Sequence, residues 1–362
     1  MEAFLLEASD SLPTEVAPTR ANEHRFRFSG TTEEYFRIWI VNVALSILSL
    51  GVYSAWATVR TRRWFYAHTW VGDAPFDYRA RPLPILIGRG IAFVLLVTYF
   101  LSEYFLADWS LLVLLGIFCL VPALVVRGLR FRARYSVWRG VSFQFLGAYR
   151  DAYLRYLLAY LLLLPTLGLM MPMIKAWQKE YLVRHHRFGG WWFKCEPLGS
   201  GFFGIYAVGI GLGIVLFVAF IMAMMAVSMA IYAGGEESEG ARTIALPLLA
   251  LLFYVGLLLI GVFISTRVTN TVYNNTELGP FTFRSSLRAR RMAYLYVTNT
   301  LAMVASFGLA IPWAKVRLAR YRAECLTLLG PADFDRFLSQ HADDELATGA
   351  ELADAFGVDI AL

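Results

Sequence analysis

The chain has 362 residues, a formal net charge of +6, and 58% hydrophobic, 15% aromatic and only 17% charged residues. Soluble domains average about 45–50% apolar and about 25% charged residues, so long uncharged runs must supply the excess, and the chain reads as an integral membrane protein. Lysine and arginine beside membrane spans explain the basic balance better than nucleic acid does. The three scattered cysteines, Cys119, Cys195 and Cys325, supply neither a disulfide framework nor a zinc pattern.

In chain order, residues 1–23 form a polar N-terminal tail without the basic start, apolar core and small-residue site of a secretory signal. His24 to Phe28 alternates with period two and predicts a short strand. Ile38 to Ala57 is uncharged and long enough to cross about 30 Å of hydrocarbon as a helix. Further apolar segments run over 83–106, 111–126, 157–174, 201–233, 244–264 and 292–314. These are read as free of ionisable groups, so a charged relay of the kind that marks ion pathways is not expected. Residues 329–362 form an acidic C-terminal tail.

The chain repeats itself. Aligned on Gly51, Gly168 and Gly308, three copies spanning about 26–78, 143–195 and 283–325 share features at fixed offsets. Phe26, Phe143 and Phe283 lie upstream, as do Gly30 and Gly147, with Leu287 departing at the third position. Gly72 and Gly189, then Phe76 and Phe193, lie downstream. Each copy carries a helix-breaking glycine, then Trp56, Pro172 or Pro312–Trp313, then a basic and aromatic run. Three turn glycines, in 68–78, 135–145 and 273–283, each lead into an alternating aromatic stretch that predicts a hairpin. The unit is therefore motif helix, hairpin, apolar helix pair, hairpin, occurring two and a half times.

Charge sets sidedness. If the loops near Glu103–Asp108 and Glu236–Glu239 face outward, only Arg242 of the 33 basic residues stays outside, provided each motif segment begins and ends on the cytoplasmic side. A glycine can end one helix and a proline begin the next. The motif segments then dip in and return or lie in the interface, and four helices span: roughly 83–106, 109–127, 202–233 and 244–265. Seven plain spans are the competing reading, favoured by segment length.

Phe28-Ser29-Gly30, Tyr35-Phe36, the run from Leu50 to Ala57, and Asn299, Gly308 and Pro312 to Arg317 resemble the YjgN-like family, a bacterial inner-membrane family of unknown function. The likeness covers 24–328. It implies a multi-pass inner-membrane protein and brings no catalytic residue.

No GxSxG, Walker loop or HExxH is present, so no catalytic residue, metal or cofactor is assigned and an enzyme is not expected. His68, His185 and Cys325 share one motif offset, but lack tight ligand spacing. Asn42 and Asn299 are the repeated polar candidates, either for helix packing or for a solute path. Arg60, Arg62, Arg63, Lys315, Arg317 and Arg320 are candidates for lipid headgroup contacts, against simple anchoring of helix ends. Gly209 and Gly213 form a GxxxG suited to helix contact within the chain or with a second copy. The sequence thus predicts an all-α polytopic membrane protein with short cytoplasmic β-hairpins, tandem repeats of broken helices and both termini cytoplasmic. A membrane-embedded scaffold or lipid-interacting role is favoured over an uncoupled transporter or channel for a small solute, with membrane lipids as partners.

Overall fold

Ten short strands, none flanked by another closer than a turn or a helix pair, close into one antiparallel barrel. The computed structural model describes residues 22–234 and 239–331. The expectations for the first 21 residues, for the 235–238 loop and for the acidic tail beyond 331 fall outside them. The order is β1 (Asn22–Phe28), α1 (Thr32–Leu48), α2 (Ser54–Ala67), β2 (Thr69–Val71), β3 (Ala74–Tyr78), α3 (Pro82–Phe105), α4 (Ala107–Tyr135) and β4 (Ser136–Trp138). There follow β5 (Val141–Phe145), α5 (Tyr149–Tyr156), a 3₁₀ turn (Leu158–Leu163), α6 (Met171–Arg184) and β6 (His186–Phe188). The chain continues through β7 (Trp191–Cys195), α7 (Gly199–Gly234), α8 (Glu239–Asn274), β8 (Thr276–Leu278), β9 (Phe281–Ser285), α9 (Ala289–Ala305), α10 (Ile311–Glu324) and β10 (Leu326–Gly330).

The all-α expectation is therefore wrong. The predicted hairpins are not separate ornaments: joined edge to edge, with β1 pairing β10, they form a ring. Five equivalent units compose it, not two and a half. In each, a strand leads to a helix hairpin that returns to a second strand paired with the first, as β1·β2, β3·β4, β5·β6, β7·β8 and β9·β10. Four two-residue turns join the units. At Arg139–Gly140 both turn residues have positive φ (49° and 85°), as a type I′ turn requires.

The register repeats as well. Phe26, Phe76, Phe143, Phe193 and Phe283 each pair with Val71, Trp138, Phe188, Leu278 and Leu328 in turn. These residues cluster inside the ring, with the Phe143 and Phe188 rings tilted 4.6 Å apart and Phe193 stacked 6.1 Å from Phe283. An eight-stranded barrel is about filled by ordinary side chains. A ten-stranded one is wider, and the aromatic belt plugs it.

Units one, three and five carry the motif copies, and each motif is a helix hairpin with both ends on the barrel. At its tip two successive residues are left-handed: Leu50 and Gly51, Leu167 and Gly168, Phe307 and Gly308. A left-handed non-glycine costs roughly 1–2 kcal/mol, yet Leu50, Leu167 and Phe307 are 95%, 93% and 98% exposed. No packing within the protein repays that strain, whereas an apolar medium around the tips would reward them. Units two and four carry the long helices. Among the described residues four helices are long and apolar enough to cross a membrane: 82–105, 107–135, 199–233 and 243–274, with 11% or less of each apolar window buried. Their apolar surface has only lipid left to face. They are not free of charge, however. Arg89, eight residues into α3, donates to Ser54 Oγ and to Thr58 Oγ1 (2.8 Å) beside the first motif tip.

Polar staples close every seam between units. Arg63 donates to Tyr78 O, Arg130 to Gly147 O, Asn270 to Leu287 O and Arg320 to Gly30 O, while Glu180 accepts from Leu198 N. The five side chains occupy one position, six residues before the first residue of the returning strand. The repeated glycines of the first and third units have an equally local cause. A Cβ at Gly30 would lie 2.5 Å from the Trp64 ring, and at Gly147 2.4 Å from the Tyr181 hydroxyl. In the fifth unit Tyr321 instead accepts from Arg288 N, leaving room for buried Leu287.

Gly30→Ala is expected to lower stability by about 1–3 kcal/mol, because the Trp64 indole must shift. Gly88→Ala, whose Cβ meets nothing within 4 Å, should be neutral or gain up to about 1 kcal/mol of helix propensity. Thermal unfolding of the purified protein in detergent compares them.

Candidate functional site

Above the aromatic belt the second helices of the five units, α2, α4, α6, α8 and α10, line a partly open chamber of about 1050 Å³. The ten paired residues of the belt form its floor. Its walls follow a helical rule: the first residue of each returning strand and those three and four before it face inward, joined in every unit but the first by the residue seven before it. That stripe is Phe65, Tyr66 and Thr69 in the first unit and Leu129, Arg132, Ala133 and Ser136 in the second. It is Lys179, Leu182, Val183 and His186 in the third unit. The fourth and fifth units repeat it with Thr269, Val272, Tyr273 and Thr276, then Ala319, Arg322, Ala323 and Leu326. Residues three, four and seven apart share one face of a helix. The barrel thus sets which face of each helix points to the axis.

The lining is apolar below and cationic around. Arg132, Lys179 and Arg322 project into the space, and no aspartate or glutamate lines it among the described residues. Arg132 Nε donates to Gly128 O at 3.3 Å and Arg322 to the Tyr296 hydroxyl at 3.2 Å, leaving most guanidinium donors of both open to the chamber. Tyr66 and Ser136 join their hydroxyls across the wall at 3.1 Å. Surrounding protein, and after it the neighbouring Lys175, hold the Lys179 pKa below the usual lysine range. Burial pushes His186 down too, opposed by its bond to Leu182 O and reinforced by Arg132 and His185. The lining therefore sets cationic donors beside apolar and aromatic surface.

The residues singled out by sequence divide. Gly51, Gly168 and Gly308 shape the hairpin tips, Pro172 and Pro312 sit buried at helix starts, and Trp56 and Trp313 are each 38% exposed beyond them. Asn42 and Asn299 are both buried and neither lines the chamber. Asn299 donates to Ala314 O and accepts from Arg317 within one hairpin, whereas the Asn42 side-chain amide has no hydrogen-bond partner among the described residues. The cations divide likewise. Arg63 and Arg320 staple seams, Arg62 donates to the Tyr78 hydroxyl, and Arg60 and Lys315 are exposed. Arg317 lies over the Trp313 and Tyr294 rings and donates to Thr298 and Asn299. His68 and His185 bond Trp64 O and Tyr181 O, and Cys325 N bonds Tyr321 O, each residue capping its own helix in a different unit. Of the two GxxxG glycines, Gly209 packs on Ile264 of α8 and Gly213 meets nothing. Sequence reasoning did not bring Arg132, Lys179, Arg322 and His186 together: it placed Arg322 with the headgroup cations and His186 beside an unsupported metal site. The signal was present as helical spacing counted back from each predicted strand.

Residues 23–355 match a family model described as a bacterial protein of unknown function, DUF898. A protein of Salmonella typhimurium named inner membrane protein YjgN is 22% identical over 355 residues, covering 86% of this chain and 90% of its own length. Its namesake in Escherichia coli O157:H7 is 23% identical over 363 residues, covering 86% of this chain and 89% of its own. That of Escherichia coli K12 is 34% identical over 131 residues, 34% of this chain and 31% of its own. No solved structure matches the chain.

His186 binds its proton less readily in the folded protein than in the unfolded chain, where its pKa is about 6.5. Its contribution is therefore whole above that value and is lost as pH falls below it toward the folded pKa. His186→Gln should flatten the loss of thermal stability between about pH 6.5 and 5. An unchanged acid slope in detergent unfolding would show that His186 does not titrate in this way.

Proposed function

The chain belongs to the DUF898 family of bacterial proteins, and within it we propose a lipid-binding membrane protein whose central chamber holds one anionic amphiphile. The observation that carries this reading is the chamber's lining: three cations and no carboxylate above an aromatic floor. Small-molecule sites are commonly about 300–1,000 Å³, so the space suits a ligand at the upper end of that class. An acid or phosphate group would meet Arg132, Lys179 and Arg322, and its hydrocarbon would fill the apolar remainder. Charge-assisted bonds from guanidinium suit such groups. The reading is of a binding protein and not an enzyme. The plugged barrel floor speaks against a solute channel along the axis, as does the absence of Asn42 and Asn299 from the lining.

The proposed setting is the inner membrane, as in the named relatives, with the barrel and both termini in the cytoplasm. The positive-inside rule supports this side. The pairing of β1 with β10 supports a common side for both ends of the described chain. Units two and four cross the bilayer, and the three motif hairpins dip into the near leaflet.

The wild-type protein, purified and examined by native mass spectrometry, is expected to carry one acidic amphiphile. Lys179→Glu should lower its retention by about tenfold or more, since it replaces attraction by repulsion. Retention of uncharged lipids alone, or equal retention by the variant, would overturn the assignment. Independently, cysteines placed at Asp73 and Gly140 should label only from the cytoplasm, and one at Asp108 only from outside.

A further inference from the structure

A second cavity, of about 340 Å³, lies on the outer face of the fifth unit against the start of α1. It is lined by Thr32, Arg291, Leu295, Trp313, Val316, Arg317, Arg320, Tyr321 and Glu324. None of these residues lines the central chamber. Three guanidinium groups converge here without a carboxylate partner among the described residues, and two of them flank the same ring. Arg291 lies 5.3 Å from the Tyr294 centroid and Arg317 lies 5.4 Å from it.

The cluster is also pre-positioned. Trp313 stacks on Arg317 at 4.9 Å, while Thr298 Oγ1 and Asn299 Oδ1 fix one of its nitrogens at 2.7 and 3.0 Å. Gly30 O fixes Arg320 at 3.2 Å. Arg291 is exposed, and its guanidinium donates no hydrogen bond among the described residues. Glu324 lines the same cavity at the barrel end of α10, one turn from Arg320 and two from Arg317, and forms no ion pair with the three arginines among the described residues.

The repeat supplies its own control. At the positions of Arg291, Arg317 and Arg320 the first unit has Glu34, Arg60 and Arg63, and the third has Asp151, Trp177 and Glu180. The fold at this position does not require three arginines, and only the fifth unit has them. We propose that this groove binds the phosphate group of a single phospholipid of the surrounding leaflet, held by Arg291, Arg317 and Arg320.

The hairpin itself argues for a lipid as the source. Its tip is bare hydrocarbon, with Val304 71%, Phe307 98% and Leu309 55% exposed, while the arginines stand nearer the barrel. Arg317 lies about 10 Å along the helix from its barrel end, at 1.5 Å per residue. Apolar tip and cationic base match acyl chains and headgroup in order. Arginine forks fit phosphate oxygens bidentately.

The test uses the full chain in lipid nanodiscs, with phosphatidylglycerol titrated against an uncharged glycolipid and bound lipids counted by native mass spectrometry. Arg291→Gln should weaken phosphatidylglycerol binding by about fivefold, the share of one basic group, and Arg291→Glu by more. Arg60→Glu, at the matching place in the first unit, should change nothing. Equal losses from Arg60→Glu would mean general surface attraction and overturn the groove. Competition by millimolar inorganic phosphate at full strength would make it a free-phosphate site and overturn the lipid assignment. In the wild-type protein, phosphatidylglycerol but not glycolipid should slow amide exchange in the first turn of α9, and equal exchange with both would also overturn it. Lys179→Glu reports on the chamber alone, so the failure of either site is separable from that of the other.

Discussion

Ring closure is the constraint on which the other features depend. The strands pair over only two to four residues at each edge, and an isolated hairpin of that size is marginal in water. An open ladder would also expose unpaired amides at its edges. Closing β1 on β10 removes both edges at once. Because the units are equivalent in register, closure also turns one face of every returning helix toward a common axis. The chamber is a consequence of the ring, with no separate set of contacts needed to define it.

This explains what could be read from the sequence and what could not. The apolar runs announce the four long helices, since length and hydropathy are local properties. The turns at Gly72, Arg139–Gly140 and Gly279 are legible for the same reason. The barrel is not. Each of its within-unit pairings joins residues about forty to eighty positions apart, and three-residue strands carry little periodicity to betray them. The repeat was visible where the helices are alike, in units one, three and five. It was hidden in two and four, whose helices are far longer, although Phe76 and Phe193 hold the same belt position as Phe26. Alignment on strands would have revealed five; alignment on helices reveals three.

Charge misleads in a related way. Arg63 and Arg320 look alike in sequence to Arg60 and Arg317, all being cations beside an apolar hairpin. Register separates them: six residues before the returning strand, a side chain meets the next unit's backbone, and a guanidinium there is a structural donor. At nine before, as in Arg317, it meets its own hairpin and the outer groove. At four before, as in Arg132 and Arg322, it enters the chamber. One helical turn decides among packing, outer surface and interior, and composition is blind to it. The same holds for Asn299, whose amide ties α9 to Ala314 O, and for Arg89, a cation in a spanning helix that finds hydroxyl partners on the neighbouring hairpin.

The polarity of the whole molecule then follows from the direction in which five hairpins leave one ring. All depart from the same rim, so their bases gather beside the barrel and their tips point away from it together. Cations belong at the bases, where water and headgroups solvate them, and bare side chains such as Leu50, Leu167 and Phe307 belong at the tips. A chamber between the bases inherits both properties, charge at its walls from the helix ends and aromatic carbon at its floor from the barrel. An amphiphile entering between hairpins from the leaflet would find the same order of surfaces as in the bilayer, with its charged group still facing cations and its chain still facing carbon. Such a transfer would not require carrying the charged group through hydrocarbon, the step that is costly in a membrane.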